Sequence, residues 1–413
     1  GALGKRYDIC VSADLRNTPK HVRDLLVGTI RNSAGAGMQR RDEEPESAFR
    51  VRRSQAEGNL HFIESLLKDG EELTIGLKVD RDKNNAFLEF VLRAKPDTPF
   101  AEELLEGSGQ PSYFASALDD TVPLSFSISA MLNKYNRKSM AELFSVGAIE
   151  ASRGLGGVSQ DTPNDEVPEL ESVRSVTESL KRTISEGHLD GFAQFFNNDQ
   201  QKFVLVGGVK LVDAAKFGAG MTDVLARAKQ SASNTQIELS VAGHGDVVFH
   251  RVTGGNASRG EQNMYGGIPA LYLGTDQQAL WFAVGADAAL PTLKAAMDRV
   301  AAGGATVRKD DLPPFEFVMN MNHWIRLNQS NNETPGALES TAEPPAGQPR
   351  RRGGPGPFRE FTAEAFSGEG SDILRVDARQ VENGFRVRAQ VENGFLRFVA
   401  IAIASRIQRG QAL

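Results

Sequence analysis

The stretch Thr275–Val300, TDQQALWFAVGADAALPTLKAAMDRV, constrains the fold most. It reads as a tight polar turn, a short apolar strand and a helix, with Asp287 as the cap and Leu290, Leu293, Met297 and Val300 on the buried side. Three other places carry the same succession. Leu73, Ile75, Leu77 and Val79 alternate with polar residues, Arg81 to Asn85 turns the chain, Leu88, Phe90 and Leu92 return it, and Pro99 starts a helix. Leu189 to Asn197 and Phe203 to Val209 flank a turn and lead to a helix at Asp213. Ile373 to Gln380 and Phe385 to Val391 flank Asn383-Gly384 and run into a helix from Phe395 to Arg409.

The first and third turns lie about 194 positions apart and the second and fourth about 184, the spacing expected of a duplicated unit. The fold class expected is therefore α+β: antiparallel curved sheets of repeated hairpin-helix units, covered by helices, in two similar halves. The halves are placed at 1–232 and 233–413, with a flexible insert at 328–357 that is rich in proline, glycine and acid.

Further strands are expected where apolar and polar residues alternate. Tyr7 to Leu15 is one, with Cys10 turned away from its apolar side; Phe315 to Met321 is another. In Val122 to Leu132, Leu124, Phe126 and Ile128 oppose Ser125, Ser127 and Ser129, and the serine side is expected to face solvent or a shallow groove. Gln236 to Val252 reads as a hairpin whose loop at His244-Gly245 sets Glu238 opposite Arg251. Gly35 to Arg53 reads as a mobile insert, and Ser54 with Glu57 as a capping box that starts the next helix.

Composition narrows the function. The chain has 413 residues, 40% of them hydrophobic, and a formal charge of -6, which argues against a nucleic-acid partner held by a broad basic surface. Cys10 is the one cysteine, so neither an internal disulfide nor a thiolate metal cluster is expected. Phe398 to Ala404 is far too short for a transmembrane segment. The chain opens Gly1-Ala2-Leu3 without methionine, read as a trimmed N-terminus: either a signal peptide has been removed from a secreted or periplasmic protein, or a domain has been cut from a longer cytoplasmic chain.

No catalytic motif stands out, and no cofactor is expected. Gly154–Gly157, Gly207-Gly208 and Gly218–Gly220 lack the lysine or later acid of nucleotide loops. Asp80-Arg81-Asp82 begins like a calcium loop, but Asn85 and Val91 stand where glycine and glutamate belong, so a polar turn is the reading. His244, Asp246 and His250 have metal-like spacing, but the glycines flanking His244 put a turn between the histidines. Arg375, Arg379, Arg386 and Arg388 share one side of the fourth hairpin and are the candidate ligand-binding residues, suited to an anion. A two-residue loop at Asn383-Gly384 sets Arg379 opposite Arg388, a like-charge pair that Asp377 would relieve.

The phrase Phe282-Ala283-Val284-Gly285, with Asp287 and Leu293-Lys294-Ala295-Ala296-Met297-Asp298, resembles uncharacterised bacterial cell-envelope proteins of unknown function. The resemblance covers about one tenth of the chain and implies a periplasmic or secreted location. The expected function is a non-catalytic extracytoplasmic binding or scaffold protein, whose partner is a small molecule, a lipid or an envelope protein. The alternatives are a carrier of an apolar ligand between sheet and helices, and a hydrolase whose site assembles from distant residues.

Overall fold

The computed structural model describes residues 2–42, 44–106, 109–159, 162–197, 202–231, 234–303, 312–326, 364–366 and 372–408. The insert expected at 328–357 lies outside them. Among the described residues thirteen strands join one open antiparallel sheet, so the fold is α+β.

The first block of the sheet is β1 (Ile9–Asp14), β2 (Gly70–Asp80) and β3 (Asn85–Ala94). Next to β3 lie β13 (Gly384–Glu392), β12 (Ile373–Val381) and β11 (Phe315–Asn320). Then come β4 (Leu124–Met131), β5 (His188–Asn197) and β6 (Phe203–Lys210). The last block is β10 (Ala279–Gly285), β9 (Ala270–Thr275), β8 (Val247–Gly254) and the outer strand β7 (Thr235–His244). Blocks drawn from 1–232 and from 233–413 thus alternate across a single sheet.

Each hairpin of the sequence phrase is present and leads to a helix. These are α4 (Pro99–Glu106) after β3, α7 (Ala214–Ser231) after β6, α9 (Ala289–Gly303) after β10 and α10 (Asn393–Gln408) after β13. The turns use residues that tolerate positive φ, Asn84 at 50° and Asn383 at 52°. At the third turn, Asp276 accepts hydrogen bonds from the Gln278 and Ala279 amides at 2.7 Å and from Trp281 Nε1 at 2.7 Å, which ties the turn to the strand it begins.

Five helices form a layer over one face of the sheet; the short α1 (Ala2–Arg6) and α8 (Arg259–Tyr265) are not among them. The five are α2 (Lys20–Gly37), α3 (Glu46–Asp69), α5 (Lys134–Gly156), α6 (Glu171–Glu186) and α7, each packed on the next. Phe62 and Leu66 of α3 and Phe100 of α4 cover Leu73, Leu92 and Phe385. Val176 and Leu180 of α6, with Phe217 and Met221 of α7, cover Val209, Leu273 and Leu280. On the opposite face, Leu293 and Met297 of α9 join Phe114 in covering Trp281, Ala283 and Val206.

Two local expectations are corrected. Gly35 to Arg53 is mostly helix: α2 runs to Gly37 and α3 starts at Glu46, with Ser54 buried inside α3 rather than capping it. The intervening turn is held by Arg52, whose guanidinium donates to Glu44 at 2.7 and 2.6 Å and to the Gln39 carbonyl at 2.8 Å. The serine side of β4 is not solvent-facing, since Ser125, Ser127 and Ser129 are only 6–8% exposed. The loop over 109–123 lies on it and accepts its donors: Ser129 Oγ bonds the Gln110 carbonyl at 2.9 Å, and Gln194 Nε2 bonds the Asp119 carbonyl at 3.0 Å.

Candidate functional site

The register places every strand residue on one of two faces, because directly opposed residues in antiparallel strands point the same way. One row reads Ile9, Leu77, Leu88, Ala389, Val376, Phe317, Phe126, Ala193, Gly207, Phe282 and Leu273. The row directly behind it reads Cys10, Gly76, Glu89, Arg388, Asp377, Glu316, Ser127, Phe192, Gly208, Trp281 and Gly274.

Their burial is the reverse of the usual arrangement. Glu89 is 0% exposed and Glu316 and Asp377 6% each, whereas Leu88 on the apolar row is 51% exposed. Phe317, Phe126, Phe282 and Val376 are each only part-buried. The helical layer explains this, because it meets the apolar face through α3 and α4 near β2, β3 and β13 and through α6 and α7 near β6, β9 and β10. Between these supports stands α5, which packs on α3, α6 and α7 and leaves Leu143 54% exposed. The apolar face therefore keeps a band of part-exposed side chains that runs across several strands.

Phe126, Phe317, Phe282 and Val376 were not singled out from the sequence, where each looks like an ordinary core residue. The signal lay in their opposite neighbours. Serine, glutamate, aspartate and arginine recur on the alternate positions of β4, β11, β12 and β13, and charges packed that densely require counter-charges and covering groups on their own side.

The four arginines named from the sequence do converge on that polar face. Arg375 meets Glu316 at 2.6 Å and Asp120 at 3.5 Å. Arg379 and Arg386 share one oxygen of Asp377, each at 3.2 Å. Arg388 reaches a single oxygen of Glu89 through Nε at 2.8 Å and a terminal nitrogen at 2.5 Å, while its guanidinium lies 4.4 Å from the Phe87 ring centroid. The loop is Glu382-Asn383, one residue earlier than expected, so Arg379 faces Arg386 and Arg388 faces Asp377. An anion at these arginines would compete with carboxylates already in place.

Glu89 is the centre of this group. Tyr7 Oη donates to it at 2.7 Å, Arg6 pairs with the same oxygen, and the Tyr7 ring lies so close over Gly76 that a Cβ there would sit 2.4 Å from it. Burial works to raise the carboxyl of Glu89, but the hydrogen bonds from Tyr7 and Arg388 and the charges of Arg388 and Arg6 outweigh it and hold the group below its ordinary range. Burial, together with the adjoining carboxylate, pushes the Tyr7 phenol up to about 12. Glu316 goes the other way: burial raises it, Asp120 and Asp377 add to the rise, and Arg375 only partly offsets them.

A second concentration of polar groups lines a cleft of about 510 Å³ among α2, α3, α4 and α5. There His61 Nε2 lies 3.0 Å from Glu103 Oε2 and 3.3 Å from Ser65 Oγ, and the ring stacks on Tyr135 at 4.2 Å. A serine nucleophile is activated when the hydroxyl and the carboxylate engage opposite ring nitrogens. Both partners here meet the same nitrogen. His244 bonds Asp298 at 2.8 Å and His250 bonds Thr222 at 3.1 Å, so the two hairpin histidines have separate partners. Among the described residues no group of three or more His, Cys, Asp or Glu is arranged to hold a metal ion, and no helix is long and apolar enough to cross a membrane.

No protein-family model matches the chain, nor does any curated protein or solved structure.

Proposed function

We propose that the protein is a non-catalytic carrier that binds an apolar, chain-like ligand such as a lipid acyl chain along the apolar face of its sheet. The observation that carries this reading is the part-exposed row through Val376, Phe317, Phe126 and Phe282, with charged groups buried directly behind it. Apolar surface of that extent is stabilised by a covering apolar partner. The arginines lie on the other side of the sheet, so the ligand's polar end is held at the rim of the apolar face and not by them. An extracytoplasmic location is part of the same proposal; it rests on the envelope-protein resemblance of Phe282–Asp298 and is tested by fractionating the host.

The carrier reading is tested by titrating fatty acids of increasing length against the purified protein. Each methylene laid on the face contributes about 0.8 kcal/mol, so affinity should rise about fourfold per added carbon. Phe126→Gln and Phe317→Gln should weaken binding while leaving the circular dichroism spectrum unchanged. Affinity independent of chain length, or unaffected by both substitutions, would remove the carrier reading and leave a scaffold.

A further inference from the structure

The two edges of the sheet are built differently. At β7 the pairing with β8 shifts between Glu238 and Ala242, a bulge in which Ser240 takes φ 56° and its amide donates to His250 Nδ1 at 3.3 Å. Ile237 of that strand is 5% exposed and α7 packs against the strand, so the edge is bent and anchored on one face. At β1 all six residues, Ile9-Cys10-Val11-Ser12-Ala13-Asp14, are exposed, and none of them is proline or lysine. Its pairing with β2 is regular throughout, and among the described residues no strand pairs with its outer side. Ile9 is 64% and Val11 70% exposed, and on the same face Ile75, Val79 and Leu88 are 45%, 42% and 51% exposed. A straight, apolar, unprotected edge is a template for another strand.

We infer that β1 is the interface between two copies of this chain, joined antiparallel about a two-fold axis with Cys10 facing Cys10 of the second copy. The sequence of the edge selects both the partner and the register. Arg6 is engaged by Glu89 and Asp14 by Arg16, but Lys5 precedes the strand and the acidic Asp14 ends it, so two antiparallel copies bring Lys5 of each towards the acidic end of the other. With Cys10 at the axis, Ile9 of each copy lies opposite Val11 of the other, and the two most exposed aliphatic side chains of the edge cover each other twice. Moving the axis to Val11 would instead set Asp8 against Asp14, like charges in register. Because face parity is kept across the junction, the apolar faces of the two sheets become continuous.

Sedimentation velocity over a range of concentrations, combined with cross-linking by a short bis-maleimide that can bridge only facing thiols, tests the inference. The intact protein should dimerise, with a Cys10–Cys10 adduct whose yield follows the dimer fraction. Val11→Lys places a charge on a side chain that is already 70% exposed, so the fold should survive, as circular dichroism will register. Its self-association should fall at least tenfold and its adduct disappear. A protein that stays monomeric throughout, a dimer that survives Val11→Lys, or a dimer whose Cys10 residues do not cross-link would each overturn the inference.

Discussion

A single register row on the covered face of the sheet changes character half-way along. Towards β1 it is Glu89, Arg388, Asp377 and Glu316; towards β7 it is Phe192, Gly208 and Trp281. Both halves seat an aromatic ring on a glycine, Tyr7 on Gly76 and Phe114 on Gly208, where a Cβ would come within 2.4 and 2.7 Å of the ring. The similar socket serves different forces. In the aromatic half, Phe114, Phe192 and Trp281 pack edge-on or tilted, with centroids 5.0–6.2 Å apart, and α9 seals them by apolar burial. In the charged half, what Tyr7 adds is a hydrogen bond to a buried carboxylate, and the strands are held by paired charges. One sheet can thus be cohesive on the same face by two means, provided each buried charge finds its counter-charge.

The contrast can be broken from either side. Trp281→Ala should cost most, about 3–5 kcal/mol, because the cavity is walled by rigid strands; urea denaturation measures it. Glu89→Gln should cost about 3 kcal/mol at neutral pH, since Arg388 and Arg6 lose their common counter-charge. That deficit has a pH signature. A carboxyl held below its ordinary range stabilises the fold above that range and loses the contribution as pH falls through its folded-state value, so the gap between Glu89→Gln and the parent should close in acid. Tyr7→Phe should cost about 1–2 kcal/mol, the loss of one hydrogen bond to a buried charge. Glu316→Gln should be the smallest at neutral pH and of opposite sign in its trend. Because the Glu316 carboxyl is raised, the parent gains on the variant as pH falls through the folded-state value to the ordinary carboxyl range, and gains nothing further below it. A parallel acid profile for the two glutamine variants would show that the charges do not act as described.

Much of the local structure was legible in the sequence, since alternation, turn residues and helix starts are short-range properties. The hairpins at Asn84 and Asn383 and the helices after them follow from such signals. The β7–β8 hairpin is instructive: Glu238 does face Arg251, at 3.3 Å, yet the loop is Gly245-Asp246 and not His244-Gly245. The bulge after Glu238 cancels the displaced loop, so the pairing was right for an incomplete reason. What Gly207 and Gly208 accommodate was not legible either: a Cβ on Gly207 would lie 2.2 Å from the Phe282 ring and one on Gly208 would meet Phe114, on opposite faces of the strand. Which side of a strand is covered depends on what arrives from elsewhere. The serines of β4 are buried by the 109–123 loop, and Phe126 is left part-exposed because α5 packs on other helices, contacts that no window of sequence contains. For the arginines, shared sidedness was legible, but their carboxylate partners were not, because Glu89 and Glu316 belong to strands far away in the chain.

The alternation of early and late blocks in the sheet also bears on how the protein is made. Strand β3 pairs with β2 on one side but finds its neighbour on the other side only in β13, and Glu89 and Arg388 are separated by 299 residues. At ordinary rates of synthesis that interval is roughly 15 to 60 seconds, during which the β3 edge and the carboxylate of Glu89 await strands still to emerge from the ribosome. The nascent chain should therefore engage chaperones or stay loosely ordered until its last hundred or so residues are complete, and it should be most prone to aggregate when translation stalls before β12 and β13.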